Sequence, residues 1–92
     1  MANAKTRLRK KHSAQKELIN FLQNHVAKAE KMKADKFCGP TCKRINSSAI
    51  REFDDALHYA KKGDYKTSLQ LTRVGLLKAE TAHEEHYGQE DV

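Results

Sequence analysis

Two cysteines and two histidines are the residues of this chain whose types and spacing best suit a metal site. Cys38 and Cys42 stand at the ends of Cys-Gly-Pro-Thr-Cys, and His83 and His86 lie three positions apart near the C-terminus. Residues three apart on a helix share one face, and zinc binds tetrahedrally to sulfur and nitrogen ligands. Four protein ligands leave no open position, so the sequence predicts one structural zinc ion and no other cofactor.

The cysteine and histidine pairs are roughly 40 residues apart, so a fold-back of the chain must bring them together. Gly63-Asp64 combines a glycine suited to end one helix with an aspartate suited to cap the next. If two antiparallel helices meet there, Cys42 lies opposite the segment that contains His83 and His86. Zinc would then join the loop before the second helix to the end of the third.

Other interpretations of these four residues stay open. Histidines are common near helix C-termini, and a cysteine on an apolar helix position is often a small buried hydrophobe. The redox motif of thioredoxins has two residues between its cysteines, whereas this chain has three, so we do not expect thiol redox catalysis. A reducing compartment argues against a disulfide between Cys38 and Cys42.

The apolar pattern is helical throughout and predicts an all-α fold. Leu18, Leu22 and Val26 begin a stripe in which apolar residues recur every three or four positions, and two similar stripes follow. The predicted helices cover about 13–36, 40–62 and 64–87. A start of the second helix at Asn46 also fits, with a hydrophobic staple around that cap. We expect a three-helix arrangement in which a long N-terminal helix packs on an antiparallel helical hairpin.

Ninety-two residues allow one domain. We divide the chain into a basic N-terminal arm (1–12), a single helical domain (13–87) and an acidic tail (88–92). Since 11 of the apolar residues are alanines, the core is thin, and a partner or a ligand would add stability. No apolar run approaches the roughly 18 residues of a membrane span, and no signal peptide is visible, so we expect a soluble cytoplasmic protein.

The net charge of +6 is concentrated at the N-terminus. The first 16 residues carry six basic side chains and no acidic one, whereas residues 79–92 carry five acids and no lysine or arginine. Such an arm attracts nucleic-acid phosphates or an acidic protein surface, although a solvated helix end has the same composition. The predicted contact residues are Lys5, Arg7, Arg9, Lys10, Lys11 and Lys16.

Residues 52–79 resemble one known helical unit. Ala56, Tyr59, Gly63, Tyr65, Ser68 and Gly75 occur in the order found in a single tetratricopeptide-type hairpin. The resemblance implies a packed hairpin of an interaction type, with small residues where its helices touch. The proline that usually closes such a repeat is missing, and Thr72 stands where the family favours a large apolar residue.

A second pair of residues is similar to a catalytic motif. Arg51 and His58 lie seven positions apart, as in HEPN-type ribonucleases, which are also helical. Those domains are larger than this chain, and Glu52 fits the polar position after the arginine only loosely. The chain also lacks a serine-histidine-acid set and a glycine-rich phosphate loop. We therefore predict that the protein is not an enzyme.

The sequence predicts a small accessory, regulatory or inhibitory protein that acts on a nucleic-acid-handling enzyme or complex. Contacts from the arm to phosphates would carry little sequence specificity. The alternative is a protein–protein adaptor or inhibitor without a nucleic-acid role. The third helix is apolar on more than one side, so it lies centrally or keeps a surface for a partner or a second copy. The residues of that surface are Leu71, Val74 and Leu77.

Overall fold

A computed structural model of the protein describes the backbone of residues 4–88 and the side chains of residues 13–84. Within that range it has three helices, α1 (Ala4–Lys33), α2 (Pro40–Lys62) and α3 (Tyr65–Gly88), and no strand. The predicted all-α class is confirmed. None of the described helices is both long enough and apolar enough to cross a membrane. Residues 89–92 of the predicted acidic tail lie outside the described residues.

The helix boundaries follow from local cap residues. Gly39 is the N-cap of α2, and Pro40 occupies the first turn, where a missing N–H costs nothing. Gly63 ends α2 with a φ of 86°, a left-handed conformation that favours glycine. The Asp64 carboxylate then accepts a hydrogen bond of 3.2 Å from the Thr67 N–H at the start of α3. Local residues therefore set both ends of α2 and the start of α3.

The central helix is α2, because α1 and α3 each pack along it while contacts between α1 and α3 are sparse. The sequence left two positions open for α3, a central one and one that keeps apolar surface for a partner. The structure shows the second of these. The main cluster of fully buried residues comprises one leucine of α1 and four residues of α2: Leu22, Ala49, Phe53, Ala56 and Ala60. Three alanines on α2 let both neighbouring helices approach closely.

Small residues also line the contact between α2 and α3. A Cβ atom on Gly75 would lie 2.7 Å from Cε1 of Phe53, so the ring packs directly on the α3 backbone. Ser68 is buried and donates a hydrogen bond of 2.7 Å to the carbonyl of Ala56. These small residues of the tetratricopeptide-type resemblance thus lie where the two helices touch.

The N-terminal part of α1 extends past the hairpin. Gln15 Nε2 donates hydrogen bonds of 3.0 and 3.3 Å to the carbonyls of Ala60 and Lys61, in the last turn of α2. Because α1 runs antiparallel to α2, the residues before Gln15 continue beyond the end of α2. Residues 4–12 add roughly 13 Å of helix there, at about 1.5 Å per residue.

Candidate functional site

The cysteine pair lies at the N-terminal end of α2 and is joined by a disulfide. Cys38 and Cys42 are both buried, and their Cα atoms are 5.2 Å apart. The Gly39-Pro40 turn places Cys38, two residues before α2, beside the first turn of that helix, which brings the Cα atoms within disulfide range. The structure thus corrects the expectation, based on a reducing compartment, that these cysteines stay unpaired.

The predicted zinc ligands are only partly described. The two cysteine sulfurs are bonded to each other, His83 is exposed on α3, and the side chain of His86 lies outside the described residues. Among residues 13–84, no group of three or more His, Cys, Asp or Glu side chains has a metal-binding arrangement. Cysteine binds zinc as a thiolate, so binding would require reduction of the disulfide. The zinc site stays a prediction.

Thiol labelling tests the state of the cysteines. We expect the protein, unfolded in denaturant without reductant, to take up no iodoacetamide at Cys38 or Cys42, because a disulfide sulfur is not a nucleophile. After reduction, intact mass spectrometry should show two additions. Two additions without reductant would contradict the disulfide and return both thiols to the zinc hypothesis.

A buried asparagine lies against the disulfide. Asn46 is 1% exposed, and its Nδ2 donates a 3.1 Å hydrogen bond to the Cys42 carbonyl and lies 3.4 Å from the Cys42 sulfur. Its Oδ1 accepts no hydrogen bond from the described residues, which costs roughly 1–3 kcal/mol in a buried site. Sequence reasoning considered Asn46 only as an alternative start of the second helix, whereas the structure begins α2 at Pro40 and buries Asn46 within it. The available signal was a polar residue at helical spacing within an apolar stripe.

Two cavities lie between α1 and α3. One cavity of about 480 Å³ lies between Phe21 of α1 and Leu69 of α3. A second cavity of about 240 Å³ follows, with Asn46 and His83 among its lining residues. Leu76 lines both cavities. We call the two cavities together the α1–α3 groove.

His25 lies in this groove between two aromatic rings. Its ring centroid is 4.4 Å from that of Phe21 and 5.5 Å from that of Phe53. Burial lowers the pKa of His25 below its ordinary value, and the positive charge of Lys28 lowers it further. The folded protein therefore favours the neutral ring.

This lowered pKa predicts a loss of stability in acid. The unfolded chain binds the His25 proton more readily than the folded one, so the contribution of His25 is complete above about pH 6.5. It declines as the pH falls from there toward the lowered pKa. Urea unfolding between about pH 7.5 and 5.5 should show this decline in the wild type. It should be smaller in His25→Gln; equal declines in the two proteins would contradict the assignment.

The outer face of α2 and α3 holds a further cavity and an ion pair. Lys78 Nζ lies 3.0 Å from a carboxylate oxygen of Glu52 and donates a 2.8 Å hydrogen bond to the Ser48 hydroxyl. The cavity has a volume of about 380 Å³, and Ile45 and Leu77 are among its lining residues. We call it the outer cavity.

The structure places the predicted partner surface of α3 in two environments. Leu77 is 64% exposed and Val74 is 40% exposed, whereas Leu71 is partly buried and packs on the core. Val74 and Leu77 are therefore available to a partner, and Leu71 contributes to the fold.

The basic residues of the arm belong to α1. Lys16 is exposed. The backbone of the others is in the first turns of α1, and their side chains lie outside the described residues: Lys5, Arg7, Arg9, Lys10 and Lys11.

The residues similar to a ribonuclease motif lie on the surface of α2. Arg51 and His58 are both exposed, and the His58 ring packs edge-on against Tyr59 with centroids 5.4 Å apart.

Comparison of the chain with protein family models, with curated proteins and with solved structures gives no significant match.

Proposed function

We propose that this protein is a small non-enzymatic accessory factor of a nucleic-acid-handling enzyme or complex, and that it contacts nucleic-acid phosphates through the N-terminal part of α1. The observation that carries the proposal is the extension of α1 past the hairpin, which follows from the hydrogen bonds between Gln15 and the last turn of α2. Five basic residues lie in this extension, and the first 16 residues contain no acid.

The physical argument is electrostatic. The N-terminal part of α1 extends beyond the other described helices, so it is accessible to a large polyanion. Clustered lysine and arginine side chains release counterions from a phosphate backbone when they bind it. Phosphate contacts position a protein without reading sequence, so we expect affinity for nucleic acid of any sequence. Regulation of the partner enzyme would follow from the presence of the factor on the nucleic acid.

Fluorescence anisotropy with a labelled duplex tests the proposal. Wild-type affinity should fall steeply as salt rises from about 50 to 200 mM. The double variant Lys10→Glu/Lys11→Glu should lose at least about tenfold in affinity and show a shallower salt dependence, because each lost phosphate contact lowers the slope by about one.

The matched control reverses two charges elsewhere. Lys43→Glu/Arg44→Glu makes the same change in net charge at two exposed neighbours near the N-terminal end of α2, far from the extension. This variant should keep most of the affinity. Equal losses in both double variants, or a wild-type affinity that does not change with salt, would contradict binding through the arm.

A second candidate function is a protein–protein adaptor, favoured by the exposure of Val74 and Leu77 beside the outer cavity. Affinity capture with wild type, Leu77→Glu and the surface control Gln70→Glu tests it. A protein retained by the wild type and by the control, and lost with Leu77→Glu, would support the adaptor. Retention by all three would contradict this surface.

A further inference from the structure

The α1–α3 groove leaves large apolar side chains in contact with solvent. Phe21 is 41% exposed on its α1 wall, and Leu69 is 47% exposed on its α3 wall. Leu18 and Leu76 continue the apolar lining between them. Because α1 and α3 have few contacts with each other, none of the described helices covers this surface as a neighbour in a helical bundle normally would.

Charged residues line the groove in a symmetric order. Glu17 and Arg73 line the cavity at one end, and Lys28 and Glu80 line the cavity at the other end. Along α1 the order is acid then base, and along the parallel helix α3 it is base then acid. Leu76, which lines both cavities, lies midway between Arg73 and Glu80. None of the four charges forms an ion pair with a described side chain; the salt bridge between Lys78 and Glu52 lies on the outer face of α2 and α3, away from the groove.

This order is self-complementary under a two-fold rotation. The two-fold axis runs across the groove from α1 to α3, near Leu76 and perpendicular to both helices. Rotation about it lays the groove of one copy on that of a second copy, with α1 on α1 and α3 on α3 in antiparallel orientation. Glu17 then lies over Lys28 of the partner subunit, and Arg73 over Glu80 of the partner subunit. The same rotation repeats both pairs, as in every isologous interface. It also sets the helix dipoles of facing helices in opposite directions, which is favourable.

We propose that the α1–α3 groove is the interface of an antiparallel homodimer of this chain. The exposed apolar residues supply the buried area, and the four charges specify a second copy in this orientation. The other face-to-face rotation lays α1 on α3 of the partner subunit and pairs Glu17 with Arg73 of the partner subunit. It sets the facing helix dipoles parallel, so the antiparallel arrangement is the one we infer.

Sedimentation equilibrium of the full chain tests the interface without nucleic acid, so its result is independent of the arm. We expect a dimer for the wild type at a chain concentration of about 100 µM, within the usual range of weak homodimers. Arg73→Glu should raise the dissociation constant at least about tenfold, since it places two acids together. Arg73→Glu/Glu80→Arg should restore dimerisation, and Arg51→Glu on the exposed face of α2 should leave it unchanged.

Each remaining outcome decides against the proposal. A monomeric wild type overturns the homodimer. Rescue of Arg73→Glu by Glu17→Arg instead of Glu80→Arg overturns the antiparallel arrangement. A dimer that withstands Arg73→Glu and dissociates with Leu77→Glu moves the interface to the outer cavity. Arg73 and Glu17 are exposed. At a concentration low enough for the wild type to be monomeric, thermal unfolding of each variant should match the wild type, which separates dissociation from misfolding.

Discussion

Replacement of Phe53 by alanine is expected to lower the free energy of unfolding by about 3–5 kcal/mol. Phe53 is the largest fully buried side chain of the described region, and its ring contacts Gly75 of α3 and His25 of α1. All three helices therefore lose packing at once. Because a small domain has a total stability of only about 5–15 kcal/mol, the variant should be close to unfolding. Urea denaturation followed by circular dichroism measures the loss.

Phe37→Ala is the matched control for this prediction. It removes the same atoms from a residue that is 55% exposed in the loop before α2. We expect a loss of less than about 1 kcal/mol, since surface substitutions of this kind have small effects. Similar losses in the two variants would contradict the central place of Phe53 in the core.

Replacement of Gly75 by alanine should also destabilise the protein, by about 1–3 kcal/mol. Alanine favours a helix over glycine by roughly 1 kcal/mol, so the expected sign is opposite to that of intrinsic propensity. The reason is steric: the new Cβ would lie 2.7 Å from Cε1 and 2.8 Å from Cδ1 of the Phe53 ring. That ring is fully buried, and in a close-packed core it can shift only by displacing its neighbours. The same urea titration measures the change.

A double-mutant cycle tests the cause of this loss. In a Phe53→Leu background the flat ring is absent, so Gly75→Ala should cost less by about 1 kcal/mol. Gly63→Ala is the comparison, because Gly63 has a φ of 86° and a Cβ there meets no atom within 4 Å. Its cost arises from backbone strain alone and should be equal in both backgrounds. If Gly75→Ala costs as much in the Phe53→Leu background as in the wild type, the steric explanation is wrong.

The helical class and the register of the hairpin are predictable from the sequence because their causes are local. Gly63 and Asp64 set the turn, and a fold-back there places residues equally distant from it opposite each other. The ion pair of Lys78 with Glu52 and the packing of Gly75 on Phe53 agree with this register.

The relations between distant elements are harder to predict. The apolar stripes do not show which helix is central, since this depends on how closely two neighbours approach the small residues of α2, such as Ala49 and Ala56. The α1–α3 groove follows from that arrangement and has no signal of its own in the sequence. The expectation against a disulfide rested on the cellular compartment, whereas the turn geometry around Cys38 and Cys42 decides whether the two sulfurs meet.

The attachment of α1 mainly to α2, with sparse contacts to α3, has a consequence for local unfolding. Regions with few buried contacts open at lower free energy and exchange their amide hydrogens sooner. In the described part of α1, Leu22 and Ala29 are the buried residues, whereas α2 is covered on both sides. We expect native-state hydrogen exchange to show lower protection in α1 than in α2, and equal protection would contradict this. The helix that carries the basic residues is thus the cooperative unit that opens first, while the α2–α3 hairpin stays folded.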